Sequence, residues 1–136
     1  LQDEPLFPGM FKLINDLKIN KEFHIGVATN KSRIALNNGL KKHNLINIFD
    51  ITLTMDEAKA KPDPDMAIQA MSMLNIEKKS TIIVGDTIND IGLGVNAGIN
   101  SIGVAWGYNS IEMLRNEGAD FIIKDSEELF DTIINL

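Results

Sequence analysis

The sequence predicts an α/β fold, a doubly wound, Rossmann-like parallel sheet with helices on both faces. Three observations point there. Short apolar runs rich in β-branched residues alternate with longer stretches whose apolar residues recur every three to four positions. The clearest run, Ile82-Ile83-Val84, is too short for a core helix and stops at Gly85, as a buried parallel strand does. Strands that alternate with helices of this length imply βαβ units with right-handed crossovers. At 136 residues the chain is one domain, with enough length to bury a core and too little for a TIM barrel.

The elements follow in order. Pro8-Gly9 opens a helix with Met10, Leu13, Ile14 and Leu17 on one face. His24 to Ala28 reads as a strand, with Thr29-Asn30 as its polar exit. Lys31 to His43 reads as a helix capped by Asn30. A short strand lies around Ile51-Thr52-Leu53. Asp65 starts a helix that places Met66, Ala70, Met71 and Leu74 together, and these methionines read as core. Thr81 to Val84 is the next strand, and Gly85 is expected to let the chain leave the sheet in a tight turn. The following helix runs to Ala97, with Gly98 as a left-handed stop. Ser101 to Ala105 is a strand, Asn109 to Glu117 a helix and Phe121 to Ile123 a strand. Asp125 and Glu128 form a capping box for the last helix, which buries Leu129, Phe130, Ile133 and Ile134. The total is five strands and six helices, with no repeat and no low-complexity tract.

Composition removes several functions. The net charge of −6, with no Lys/Arg cluster to offset it, argues against a nucleic-acid partner. With no cysteine, disulfides, thiolate nucleophiles and Cys-ligated zinc are excluded. Only two histidines exist, His24 and His43, which disfavours a His metal cage or a Ser-His-Asp triad. No apolar run approaches membrane-spanning length, so no membrane partner is expected. No G-x-G-x-x-G follows a strand; Gly92-Leu93-Gly94 lies inside a helix, where glycine suits close packing.

The chemistry concentrates at three strand exits. The Thr29 hydroxyl and nearby backbone N–H groups, at a helix N-terminus, suit phosphate oxygens, although an ordinary cap would look the same. Lys61-Pro62-Asp63-Pro64-Asp65 is stiffened by two prolines and can aim an ammonium at a fixed point. Asp86 falls at the carboxyl end of a strand, where open α/β sheets hold ligands, and Asp90 about one turn into the next helix. Such carboxylates suit a hard cation such as Mg²⁺, and the plain alternative is that Asp86 caps the helix.

In this order, Thr29, the Lys-Pro-x-Pro-Asp at 61–65 and the Gly-Asp-x-x-x-Asp at 85–90 resemble the haloacid dehalogenase superfamily of phosphohydrolases. Gly103-Val104-Ala105-Trp106-Gly107-Tyr108, then Gly118-Ala119-Asp120, and Phe7-Pro8-Gly9 near the start look like its phosphoglycolate phosphatase and pyrophosphatase branch. The resemblance implies a Mg²⁺-dependent phosphatase that hydrolyses a small phosphorylated metabolite through an aspartyl-phosphate intermediate, with a cytoplasmic location expected. Thr29, Lys61 and Asp90 would be catalytic; Thr29, Asn30 and Lys61 would bind the substrate's phosphoryl group; Asp86 and Asp90 would serve the metal, Asp90 through its hydration shell or by orienting Lys61.

The family's first motif, Asp-x-Asp at the end of a strand, is not found, nor is the cap segment that follows it. Asp63-Pro64-Asp65 matches by letters only, because no apolar strand precedes it. The resemblance places the first strand in mid-sheet, between the strands ending at Ala28 and Val84. Its removal would open a gap of roughly 9–10 Å, about two strand spacings. Residues 1–136 are therefore expected to form one partial core domain. An upstream segment of the same polypeptide would bring the strand, the nucleophile and the cap. The alternative is a catalytically inactive remnant that binds phosphate, metal or a partner. A receiver-type signalling domain is disfavoured because its acidic pair would lie near the N-terminus. A dehalogenase is disfavoured because it would not need the Asp86/Asp90 pair. Trp106 and Tyr108 read as structural packing.

Overall fold

In a computed structural model, residues 9–19, 22–106 and 109–136 are described. The elements are α1 (Met10–Ile19), β1 (Gly26–Ala28), α2 (Arg33–Lys42), β2 (Ile51–Leu53), α3 (Asp65–Leu74), β3 (Ile82–Gly85), α4 (Ile88–Ala97), β4 (Asn100–Val104), α5 (Ile111–Glu117), β5 (Phe121–Ile123) and α6 (Ser126–Ile134). The five strands and six helices read from the sequence are present in that order, with a short 3₁₀ turn at Lys78–Ser80 added before β3. Phe7, Pro8, Gly107 and Tyr108, which contribute to the family resemblance, lie outside the described residues.

Among the described residues all strand pairing is parallel, but it forms two sheets. β1 pairs with β2, with Val27 opposite Thr52. β3, β4 and β5 form the second sheet, with Val84 opposite Ile102 and Gly103 opposite Ile122. Among the described residues β1 pairs only with β2, and β3 only with β4. All four residues of β3 are only half-buried, whereas Ser101–Val104 of β4 are buried. A β-branched run of this kind ordinarily lies in mid-sheet, covered on every side.

The period-two alternation of the strands assigns the helices to two layers. Ile82, Val84, Ile102, Val104 and Ile123 pack with Leu13 and Leu17 of α1 and Leu129 of α6. Ile83, on the opposite face, joins Met66, Ala67 and Met71 of α3 and Leu93 and Ala97 of α4. In β1, Ala28 packs towards the α3/α4 cluster, and Val27 towards Leu36 and Leu40 of α2. Met66 is fully buried and Met71 nearly so, as the helical spacing predicted. Trp106 packs against the α1/α6 cluster. No helix of the described residues is long and apolar enough to cross a membrane.

The glycines of α4 let neighbours approach closely. A Cβ on Gly94 would lie 2.9 Å from Ser101 Cβ of β4, and one on Gly92 2.7 Å from Pro62 Cβ. Gly98 ends α4 in the left-handed conformation, φ 73°.

Several boundaries differ from the sequence reading. β1 begins at Gly26 rather than His24, whose side chain is half-exposed beside Asp50. α2 is capped by Ser32, whose hydroxyl accepts from Ala35 N, and not by Asn30, whose amide bonds Lys61 instead. α5 begins at Ile111 under a Ser110 cap, because Asn109 is turned towards α4 and accepts from Ile88 N. At α6, Asp125 caps the helix as expected, but the box is incomplete: Glu128 reaches one residue further back, to Lys124 N.

Candidate active site

The three polar strand exits meet at the carboxyl ends of β1 and β3. Lys61 joins them. Its Nζ donates to Ala28 O at the end of β1, 2.8 Å, and to Asp90 Oδ1 in the first turn of α4, 2.5 Å. The side chains of Lys61 and Asp90 are only 11% and 9% exposed, so each charge depends on the other. The ammonium thereby ties the two sheets together where they are not paired.

Asp90 uses both oxygens. Oδ2 accepts from Thr87 N at 3.2 Å and Thr87 Oγ1 at 2.9 Å, and the Thr87 hydroxyl accepts from Asp90 N. This is a complete capping box, and it orients the carboxylate that receives Lys61. The cap of α4 is Thr87, so the plain reading of Asp86 as the helix cap does not hold.

Gly85 is required for a reason other than the expected turn. Its φ is not among the positive values of the described glycines. A Cβ there would sit 2.2 Å from Asp90 Cγ and Oδ2. The absent side chain is the space that the Asp90 carboxylate occupies.

The Lys61 loop is anchored from both sides. Asn30 Oδ1 accepts from Lys61 N at 2.8 Å, and its Nδ2 donates to Lys61 O at 3.1 Å. Asn96 Nδ2 donates to Pro62 O at 2.9 Å. The Lys61-Pro62 peptide is cis. Asp63 Oδ1 accepts from Asp65 N, and Asp65 Oδ2 from Lys59 N and Gln69 Nε2. Both carboxylates thus build the loop and the start of α3. Asn96 and Thr87 are contributors that the sequence reading missed, whereas Gly92, read as a close-packing glycine, lies against Pro62. The Thr-x-x-Asp spacing at 87–90 is a signal that could have found Thr87.

Thr29 is held at the exit of β1 by its own N–H, which donates to Leu53 O of β2 at 3.0 Å. Its hydroxyl accepts from Lys31 N at 3.1 Å, and a hydroxyl so placed keeps its proton to donate. Asp86 follows β3 and is half-buried; its carbonyl accepts from Asn109 N at 3.1 Å. The described residues contain no group of three His, Asp or Glu that could hold a metal on its own. Asp86, just past β3, and Asp90 are the carboxylates here that could serve Mg²⁺, a cation that commonly keeps several waters and needs only one or two carboxylates from the protein.

Away from these exits, Arg33 at the start of α2 forms a second polar cluster. It donates to Glu57 at 2.6 Å, Thr52 O at 2.8 Å and Thr52 Oγ1 at 2.7 Å. Glu57 also accepts from the N–H and hydroxyl of Thr54. The Arg33 guanidinium, aided by these bonds, holds the Glu57 carboxyl well below its ordinary range, at about 2.

Parallel strands layered by helices, with an ammonium, a hydroxyl and two carboxylates towards the strand exits, define an α/β domain of the class that holds its ligands at the carboxyl ends of its strands. The chain belongs to the haloacid dehalogenase-like hydrolase family, whose model matches residues 2–104. Pyrophosphatase PpaX of Bacillus velezensis is 31% identical over 124 residues, covering 90% of this chain and 57% of that protein. A predicted phosphatase of known structure from Clostridium acetobutylicum is 33% identical with a TM-score of 0.84, covering 96% of this chain and 60% of that one. A provisionally assigned phosphoglycolate phosphatase from Lactobacillus delbrueckii superposes with a TM-score of 0.83 at 29% identity, covering 93% and 53%. The chain thus spans a little over half the length of the curated relatives it matches.

Proposed function

We propose that this chain is the greater part of the core domain of a Mg²⁺-dependent phosphatase that hydrolyses a small phosphorylated metabolite. The nucleophilic aspartate would come from a segment upstream of Leu1 in the same polypeptide. The observation that carries this reading is the Lys61 ammonium, held between Ala28 O and Asp90 across the unpaired edges of β1 and β3. A strand placed between those edges would end beside the ammonium. The family membership and the phosphatase and pyrophosphatase names of the relatives support the same reading.

Each residue then has a part. An aspartate at the end of the inserted strand would attack phosphorus as the bond to the substrate's leaving oxygen breaks and that group departs, and water would then cleave the aspartyl-phosphate to inorganic phosphate and the free aspartate. Lys61 neutralises charge on the nucleophile and the phosphoryl group, and Asp90 fixes the direction of its ammonium. The Thr29 hydroxyl donates to a phosphoryl oxygen, assisted by backbone N–H groups near Asn30. Asp86 would hold Mg²⁺, which when bound neutralises phosphate charge and orients the transferring group. Phosphoryl transfer asks mainly for such positioning and charge neutralisation.

The test is hydrolysis of an aryl phosphate by the 136-residue chain and by the same chain with its native upstream sequence, each with Mg²⁺ and then with chelator. The extended protein turns over, needs Mg²⁺ and loses activity in Asp86→Asn; the shorter chain is inactive. Turnover by the extended protein that ignores Asp86, or none at all, overturns the reading.

A further inference from the structure

We propose that Asn96, together with Asn30, is a positioning residue for Lys61, an assignment that rests on the phosphatase reading above. The argument is an inventory of the backbone that carries the ammonium. Lys61-Pro62 offers three polar main-chain groups, Lys61 N–H, Lys61 C=O and Pro62 C=O, since proline has no N–H. Asparagine side chains take all three. Asn30, just past β1, takes both groups of Lys61 as a two-point pair. Asn96, in the last turn of α4, takes Pro62 O. One turn earlier on α4, Gly92 leaves the space in which Pro62 lies.

The two asparagines come from opposite sides of the unpaired edges: Asn30 from the β1/β2 sheet and Asn96 from the helix packed on β3 and β4. They fix the Cα of Lys61 relative to both sheets. Its side chain then meets two acceptors that also come from the two sides, Ala28 O and Asp90 Oδ1. The ammonium is held at both ends of its reach, and only the far end belongs to the charged cluster. Asn96 is exposed on α4, packs into no core cluster, and its amide is directed at Pro62 O. Leucine of similar size at 96 would keep the helix and remove the donor.

Two readouts test this. In the 136-residue chain, the Lys61 ammonium is followed by ¹⁵N NMR and assigned by its loss in Lys61→Arg. The expected signal is protected in the parent and in Asn96→Gln, which restores a donor, and is lost to solvent exchange in Asn96→Leu and in Asn30→Ala. In the complete polypeptide, Asn96→Leu lowers kcat about tenfold with KM held within about twofold, the pattern of a misplaced transition-state group, and Asn96→Gln recovers it. An ammonium signal and a kcat both unmoved in Asn96→Leu overturn the assignment. The NMR readout needs no turnover, so an inactive complete polypeptide would refute the phosphatase reading while the ammonium signal still decides the positioning one.

Discussion

Asp90 serves two structures at once. One oxygen receives Lys61 and the other closes the capping box of α4 with Thr87. Asn in its place keeps an acceptor for the cap and removes the charge, so the buried ammonium loses its counter-charge. Removing one partner of a buried pair costs on the order of 3 kcal/mol, because the other charge stays desolvated. Lys61→Met leaves the Asp90 carboxylate with its Thr87 bonds and should cost less. The double variant Lys61→Met/Asp90→Asn should therefore be more stable than the two single costs added, which a double-mutant cycle in urea would measure. Strict additivity would show that the pair contributes nothing. At this scale the sequence made the meeting of Lys61 and Asp90 legible, since both read as polar groups converging from strand exits, and the two are in contact. It did not give the reason for Gly85, because that reason is the carboxylate of Asp90 folded back over it. Asn96 was illegible for a similar cause: its partner is 34 positions away in the chain.

Among the elements, α2 and the loop after β2 are joined by charge. Arg33 reaches Thr52 and Glu57, and Glu57 in turn caps the turn at Thr54. The Glu57 carboxyl lies at about 2 in the fold against an ordinary 4.5. A carboxyl so lowered binds its proton more tightly when unfolded, so its stabilisation is complete above about pH 4.5 and is lost as pH falls towards 2. Asp50, lowered chiefly by the Ile25 N–H it accepts, acts in the same direction. Melting temperatures from pH 7 to pH 2 should be level at first and then fall, and Glu57→Gln should make the fall shallower without removing it. An identical slope in the variant would show that Glu57 carries no linkage. The element boundaries show what local pattern could tell. α3 is as its methionine spacing predicts, and Gly98 ends α4 because it takes the left-handed conformation. The local pattern gave Asn30 as the cap of α2; the loop at Lys61, 31 positions on, claims Asn30, and Ser32 caps the helix instead.

Over the whole molecule, the layers are those of a doubly wound fold, and the strand pairing is divided in two. Alternation in β3 sends Ile83 to one helical layer and Ile82 and Val84 to the other, which requires a strand covered on both faces. Yet β3 is only half-buried throughout, and β1 pairs on one side alone. The sequence made the helical layers legible, because periodicity records which face of an element is apolar. It made the division legible only through the family resemblance, since no property of β1 or β3 by itself says which neighbour it lacks. Edge strands expose unpaired N–H groups, and exposed amides exchange quickly. In the 136-residue chain, amides of β1 and β3 not bonded to β2 or β4 should exchange with solvent far faster than those of β4, which is paired on both sides. Adding the upstream sequence should slow them to the rate of β4 and raise the melting temperature, because one inserted strand satisfies both edges together. Equal protection of β3 and β4 in the 136-residue chain would mean that the β3 edge is already covered, and a strand supplied from upstream would then have no place in the fold.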